Sequence, residues 1–367
     1  MTRRTERSER TREVAIVSLR FSPAHVSHLI AYGKLLQELG WESLYILDQP
    51  YLSFADFASI APTVSSQAYI TSPDLQAFDS AIFYNAAIRN PFLAHAMRRR
   101  GIEIFYVFHE PVPLLQRGAE SLKVFFTLMA ANCSSIAMAR RSSAILVASE
   151  YAQALYRAHY SRYNHNVFLL PLLFEDESNY ECGVDDVAQR QYFSFLGNAV
   201  ESHGFSDFVD FVKYTVHNGC PTRFAIGTQS NLSALLSQDK ELSELVRTGT
   251  VRIEHGRPLS NQEMNRLAQE SFCVWNVYRL ITQSGALARA FMNGTPVVAA
   301  PIGGMIEFLK PGVNGEFVGM ARDFESIREA LHKIRTNLPQ YVIGSRETFR
   351  TTFHYRAHME SLTRILS

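Results

Sequence analysis

The chain has 367 residues, 47% of them hydrophobic and 19% charged, with a formal net charge of +1. That is globular material for about two domains, and the balanced charge argues against a molecule-wide attraction to nucleic acid, leaving only local basic patches. Four cysteines, Cys133, Cys182, Cys220 and Cys273, lie far apart with no Cys-x-x-Cys pair, which speaks against a zinc site or a disulfide framework and fits a reducing, cytoplasmic location.

Residues 1–12 are polar and charged, with no apolar core of a signal peptide behind them, and are expected to form a disordered tail. From residue 13 short apolar runs alternate with helix-length stretches, the signature of parallel α/β units. In the first half the runs are 13–18, 43–47, 80–84, 102–108, 144–149 and 167–173. The 24–39 stretch predicts a helix ending at Gly40, a favoured stop. Residues 104–108 are apolar without alternation, as a strand buried on both faces should be. The richest apolar stretch, 124–139, is broken by Asn132, Cys133, Ser134 and Ser135. It falls short of the roughly 18 consecutive apolar residues of a membrane span and predicts a buried helix instead.

A polar stretch at 175–190 has neither period and marks a linker between a first domain, 13–174, and a second, 191–345. The second half has apolar runs at 192–196, 223–226, 251–254, 272–277 and 296–300, and helices are expected over 205–217, 232–247, 261–270 and 285–293. A last helical region, 354–366, has no strand after it and lies in a closing segment, 346–367. Two doubly wound, Rossmann-like domains facing a central cleft are predicted, with ligands beyond the carboxyl ends of the strands.

The stretch Tyr278-Arg279-Leu280-Ile281-Thr282-Gln283-Ser284-Gly285 joins a strand end near Val277 to a helix start near Ser284 or Gly285. Open backbone N–H groups and the positive helix end bind phosphate, and Gly285 would let a diphosphate approach closely. Ser284 is equally suited to cap the helix. Local physics leaves both roles open.

Downstream the chain reads Gly294-Thr295-Pro296-Val297-Val298-Ala299-Ala300-Pro301-Ile302-Gly303-Gly304-Met305-Ile306-Glu307, then Pro311-Gly312-Val313-Asn314-Gly315. This closely resembles the C-terminal signature of family 4, and related family 1, retaining glycosyltransferases. Thr282-Gln283-Ser284-Gly285 looks like a variant of their donor loop. The resemblance implies a GT-B fold, with an N-terminal acceptor domain, a C-terminal nucleotide-sugar domain and a last helix that returns to the first. It implies transfer of a sugar from a nucleoside-diphosphate sugar to a carbohydrate or glycolipid acceptor hydroxyl. Retention, a role in bacterial polysaccharide or glycolipid assembly, and independence from metal or other cofactors are implied with it. The donor side would comprise Gly197, Asn198, Thr282, Gln283, Ser284, Gly285 and Arg289.

The chain departs from the family in two places. Many members carry two glutamates eight positions apart across this loop and helix, and Thr282 and Arg289 stand in their places here. Members often place an arginine and a lysine after the first strand of the second domain, where Asn198 and His203 are the nearest counterparts. Donor binding would then lean on backbone N–H groups, with Arg279 and Arg257 either substituting or lying on the surface. The missing glutamates motivate a second reading, a non-catalytic GT-B binding protein, and the same fold also carries nucleotide-sugar epimerases.

In the first half, His109 is a polar residue at the end of the 102–108 run. The resemblance places a histidine at such a strand end, facing the donor sugar. A core histidine is the other reading. Glu110 suits acceptor contact or acid/base assistance, or is a plain loop carboxylate. Ser22, His25 and His28 follow the first strand, where the resemblance implies acceptor contacts. His25 and His28 share a helical face, but no third ligand lies at useful spacing, so no metal site is expected. Arg98-Arg99-Arg100 and Arg140-Arg141 suit solvated helix ends. In members with lipid-linked acceptors such clusters meet the anionic inner face of the cell membrane.

Overall fold

The computed structural model describes residues 11–54, 63–65, 78–114, 122–178, 187, 189–319 and 322–366. Most of the expected N-terminal tail, the 179–186 part of the linker and Cys182 lie outside these. The chain divides into two units, Met1–Glu175 with Tyr355–Ser367, and Asp176–His354.

Among the described residues the first unit holds a seven-stranded sheet. Its strands are β1 (Glu13–Ser18), β2 (Glu42–Leu47), β3 (Thr63–Ser65), β4 (Ser80–Phe83), β5 (Glu103–Val107), β6 (Ala144–Val147) and β7 (Val167–Leu169). All pairings are parallel, in the order β3-β2-β1-β4-β5-β6-β7. Successive side chains point to opposite faces, and both faces are covered. Val14, Ile16, Leu47, Ile82, Phe105 and Leu146 pack with apolar residues of the Val26–Glu38 helix. Ala15, Val17, Phe83, Ile104 and Ile145 pack on the other side with Leu93, Met97, Met138 and Tyr156. This is why the strands read as unbroken apolar runs.

The last thirteen residues complete the first unit. Tyr355 N donates to Phe174 O (2.9 Å), and the Tyr355 hydroxyl donates to Glu38 (2.6 Å). Leu362, Ile365 and Leu366 of the Met359–Leu366 helix join the core beside the Val26–Glu38 helix.

Among the described residues the second unit holds a six-stranded parallel sheet of β8 (Tyr192–Leu196), β9 (Arg223–Gly227), β10 (Val251–Glu254), β11 (Ser271–Asn276), β12 (Val297–Ala299) and β13 (Gly315–Phe317). Their order is β10-β9-β8-β11-β12-β13. Its centre is aromatic, with Phe193 against Phe208, Phe211, Phe224 and Trp275.

Three features differ from the sequence expectation. β3 and β13 are three-residue edge strands, too short to register as apolar runs. The 232–247 stretch forms two helices, Ser233–Gln238 and Lys240–Arg247, because the Asp239 carboxylate accepts from Leu242 N (3.0 Å) and caps a new start. The helix expected to be buried runs Leu122–Ala139 and is covered on one side only, so that Leu122, Phe126 and Met129 are exposed while Ser134, Ser135, Met138 and Ala139 are buried. Among the described residues no helix is long and apolar enough to cross a membrane.

The second unit begins at an ion pair. Arg346, in the Leu338–Thr348 helix, is buried and donates to Asp176 (2.6 Å), Ser178 Oγ (3.2 Å) and the Met292 carbonyl. Burial alone would raise the Asp176 carboxyl, but the bonds from Arg346 and Ser178 hold it below the usual carboxylate range. Its stabilisation is complete above the unfolded value, about 3.9, and is lost as pH falls through the lower folded value. Arg346→Ala is expected to cost on the order of 3 kcal/mol, read as a lower urea midpoint at neutral pH. The midpoint difference between wild type and Asp176→Asn should shrink as the medium is acidified below about pH 4.

Candidate functional site

In the second unit the strand order reverses between β8 and β11, so loops 197–204 and 277–284 flank the place where a doubly wound sheet takes its ligand. Gly197 opens the first loop at φ 132°, a conformation that suits glycine. Asn198 Oδ1 accepts from Gln229 Nε2 (2.7 Å). The loops are tied together by Arg279 N donating to Ser202 O (2.9 Å) and by the His203 ring stacked on Tyr278, centroids 4.5 Å apart. Gly204 sits at φ 67°, and a Cβ there would run into the Val277 carbonyl.

The helix Gly285–Met292 begins beyond the second loop, with Ser284 as its N-cap. Ser284 Oγ accepts from Leu287 N (3.1 Å) and donates to Asn276 Oδ1 (2.9 Å). Burial pushes the neighbouring Tyr278 hydroxyl up to about 12. The side chain thus caps and the backbone stays open. Among the described residues nothing accepts from the N–H groups of Ser284, Gly285 and Ala286.

The other donor-side candidates are placed as follows. Thr282 is buried and Gln283 is half-buried, both in the loop. Arg289 is buried and donates to Asn265 Oδ1 (2.6 Å) and Asn261 Oδ1 (2.9 Å), with Glu177 at 3.8 Å, so its guanidinium braces the Asn261–Gln269 helix. An interval of eight counted back from Arg289 lands on Ile281, one residue before Thr282. The Ile281 carbonyl accepts from Gly304 N (3.4 Å), joining the loop to the Gly303-Gly304 turn. Arg279 is paired with Glu201 and with Asp207 (2.8 Å), and Arg257 with Glu263.

In the first unit the order reverses between β1 and β4. Ser22, His25 and His28 follow β1, and His109 and Glu110 follow β5. His25 stacks on His109, centroids 5.2 Å apart, and the Tyr84 ring stands edge-on to both. His28 packs on Phe174 (4.4 Å), with Nδ1 2.8 Å from Leu173 O. Ser22 N donates to the Tyr51 hydroxyl (3.1 Å), and Glu110 is exposed. Sequence reading passed over Tyr84, the ring that joins the cluster. Its signal was position, the last residue of an apolar run beside the reversal in strand order.

His109 Nε2 lies 2.5 Å from the Tyr84 carbonyl. A carbonyl only accepts, so Nε2 carries the proton in the neutral ring. His25 and His109 keep some surface in solvent, but their polar edges turn inward, and His25 Nδ1 is enclosed without a partner. Burial lowers His109 to about 4. Burial lowers His25 well below its ordinary value too, with His109 and His28 adding to the effect. Among the described residues no group of three His, Cys, Asp or Glu side chains could hold a metal ion.

Together the two doubly wound units have the GT-B fold of glycosyltransferases. The chain is similar to Anabaena HepE crystallised with UDP and glucose, at 13% identity and TM-score 0.71, covering 97% of this chain and 99% of that one. It is similar to sucrose-phosphate synthase from Thermosynechococcus elongatus, at 13% identity and TM-score 0.69, covering 96% and 98%. An α-glucosyltransferase crystallised with UDP and a 13-mer DNA gives 11% identity and TM-score 0.70, covering 97% and 100%. No protein-family model and no curated protein sequence matches the chain.

The histidine cluster makes a titration prediction. Nitrogen-detected NMR should show His109 as the neutral Nε2–H tautomer from pH 8 down to about pH 5. Because the folded value lies below the unfolded one, about 6.5, the unfolded state binds more protons between the two, and stability should fall as pH drops from 6.5 toward 4. His109→Gln should flatten that slope. A His109 that titrates near its ordinary value would contradict the buried geometry.

Proposed function

We propose that the chain is a retaining glycosyltransferase that moves a sugar from a nucleoside-diphosphate sugar to an acceptor hydroxyl, in bacterial polysaccharide or glycolipid assembly. The observation that carries this is the open helix start at Ser284, Gly285 and Ala286, set beside the reversal in strand order of the second unit. The fold is shared with proteins crystallised with UDP and UDP-glucose. N–H dipoles fixed before reaction stabilise charge as it develops on a leaving diphosphate. The donor is the nucleotide sugar, and no metal or other cofactor enters the scheme. Gly197, Asn198, Thr282 and Gln283 shape the donor loops, and Arg289 supports them from behind through the Asn261–Gln269 helix. Ser22, His25 and His28 form the acceptor side, and His109 and Glu110 contribute to turnover.

Gly285→Pro tests the donor site. Ser284 at φ −134° would be strained by proline, but Gly285 is the first helical residue, where proline fits. The extended backbone of Ser284 also suits a residue before proline. The variant removes one open N–H and leaves the helix. It should weaken UDP about tenfold or more by calorimetry, and unchanged affinity would refute the site. His109→Ala should lower kcat more than it lowers UDP affinity. The absence of carboxylates from Ile281 to Arg289 motivates the non-catalytic reading, which gains if UDP binds and no acceptor in a carbohydrate and glycolipid panel releases it from a donor sugar.

The first unit also has a surface suited to a membrane-borne acceptor. Leu122, Phe126 and Met129 lie on one stripe of the Leu122–Ala139 helix, at intervals of four and three. The adjoining Asn90–Arg99 helix exposes Phe92, 75% open to solvent, just after exposed Ile88. Arg98 donates to Arg141 O (2.9 Å), so the two arginine clusters lie together at the C-terminal ends of these two helices. Exposed apolar residues and clustered arginines carried by the same pair of helices suit an anionic bilayer surface. The double variant Phe92→Glu, Phe126→Glu should co-sediment with phosphatidylserine vesicles at least about fivefold less than wild type, with no loss of melting temperature.

A further inference from the structure

Asn276 ends β11 and is completely buried. Its Oδ1 accepts from Ser284 Oγ, but its Nδ2 is enclosed without a partner. A buried, unpaired amide donor costs stability, of order 1–3 kcal/mol, and persists where something else is gained. This Nδ2 belongs to the same planar carboxamide whose oxygen touches the N-cap, so it lies one carboxamide width from the start of the Gly285–Met292 helix. Beside it are the open N–H groups of Ser284, Gly285 and Ala286. The neighbouring cations are occupied elsewhere. Arg279 is held by Glu201 and Asp207, and Arg289 by Asn261 and Asn265.

We infer that Asn276 Nδ2 is a ligand of the diphosphate, donating to the same oxyanion group as the open N–H groups of the helix start. The inference rests on the donor-site reading above and names a residue that reading does not contain. Ser284 aims the amide, and its own hydroxyl is spent on Leu287 N and Asn276. The anion is then met by uncharged donors, from the backbone on one side and from a β-strand side chain on the other. Such a set is rigid before the ligand arrives, which limits the ordering cost of binding.

Asn276→Asp separates this role from support of the cap. Aspartate keeps an oxygen to accept from Ser284 Oγ, but loses the donor and adds negative charge. UDP, inorganic pyrophosphate and uridine serve as probes in calorimetry. Asn276→Asp should weaken UDP and pyrophosphate at least about tenfold, and leave any uridine binding unchanged. Ser284→Ala should lower the melting temperature through the lost cap, yet weaken UDP much less. If Asn276→Asp does not fold, Asn276→Ala is read the same way. Wild-type affinity in the Asn276 variant overturns the inference. So does a loss in Ser284→Ala as large as that in Asn276→Asp, because Asn276 would then act only through the cap. Failure of wild type itself to bind UDP or pyrophosphate overturns the donor-site reading and this inference with it.

Discussion

A doubly wound parallel sheet must send its crossovers in opposite directions from one central strand, and the loops after the two strands at that reversal have to part. In the first unit the reversal lies between β1 and β4, and in the second between β8 and β11. Two of the pairings argued to have a chemical role follow from it. His25 and Tyr84 meet because they end the loop and strand on either side of the first reversal. Asn276 and Ser284 meet because a strand ends and a helix begins at the second. Neither pairing could be built from residues adjacent on one strand, since neighbours point to opposite faces and residues two apart, on one face, stand roughly 7 Å from each other.

The second unit handles charge in an unusual way for a site that would take a diphosphate. Its nearby arginines are bound to acidic or amide partners, and the ligand would be met by dipoles. The Ser284 hydroxyl organises this arrangement. One oxygen caps the helix through Leu287 N and orients the Asn276 amide, while in the same loop the Tyr278 ring is stacked on His203. Loop 197–204 is tied to the loop that leads into this helix, through Arg279 N to Ser202 O and the stacked His203 and Tyr278 rings. Loop 197–204 itself offers Asn198, held by Gln229, and His203, stacked on Tyr278, in place of a permanent positive charge.

Much of the fold was legible because parallel strands buried on both faces leave apolar runs, and β1, β8 and β10 appear with the bounds their runs suggest. β3 and β13 were not legible, since three residues at a sheet edge leave no pattern. The break at Asp239 was not either, because one capping carboxylate inside a continuous apolar period is indistinguishable from a surface aspartate. At the site, the Ser284 turn was readable from its small residues before a helix. Tyr84 and Asn276 were hidden, as each looked like a member of the closing end of a core strand. The environment of Arg289 was hidden too. Its helical position was plain, but its partners Asn261 and Asn265 are 28 and 24 residues away.

The first unit is discontinuous, and that bears on how the molecule is made. Its sheet strands leave the ribosome before the second unit, but Leu362, Ile365 and Leu366, which cover one face beside the Val26–Glu38 helix, leave after it. Until then that face lacks part of its cover, while the second unit, a single stretch of chain, has already been synthesised in full. Domains fold as units during synthesis, usually the N-terminal one first. Here the N-terminal unit is begun first and completed last. Its nascent form carries an apolar surface for as long as the other unit takes to emerge, and a chain shortened by one helix would keep that surface for good.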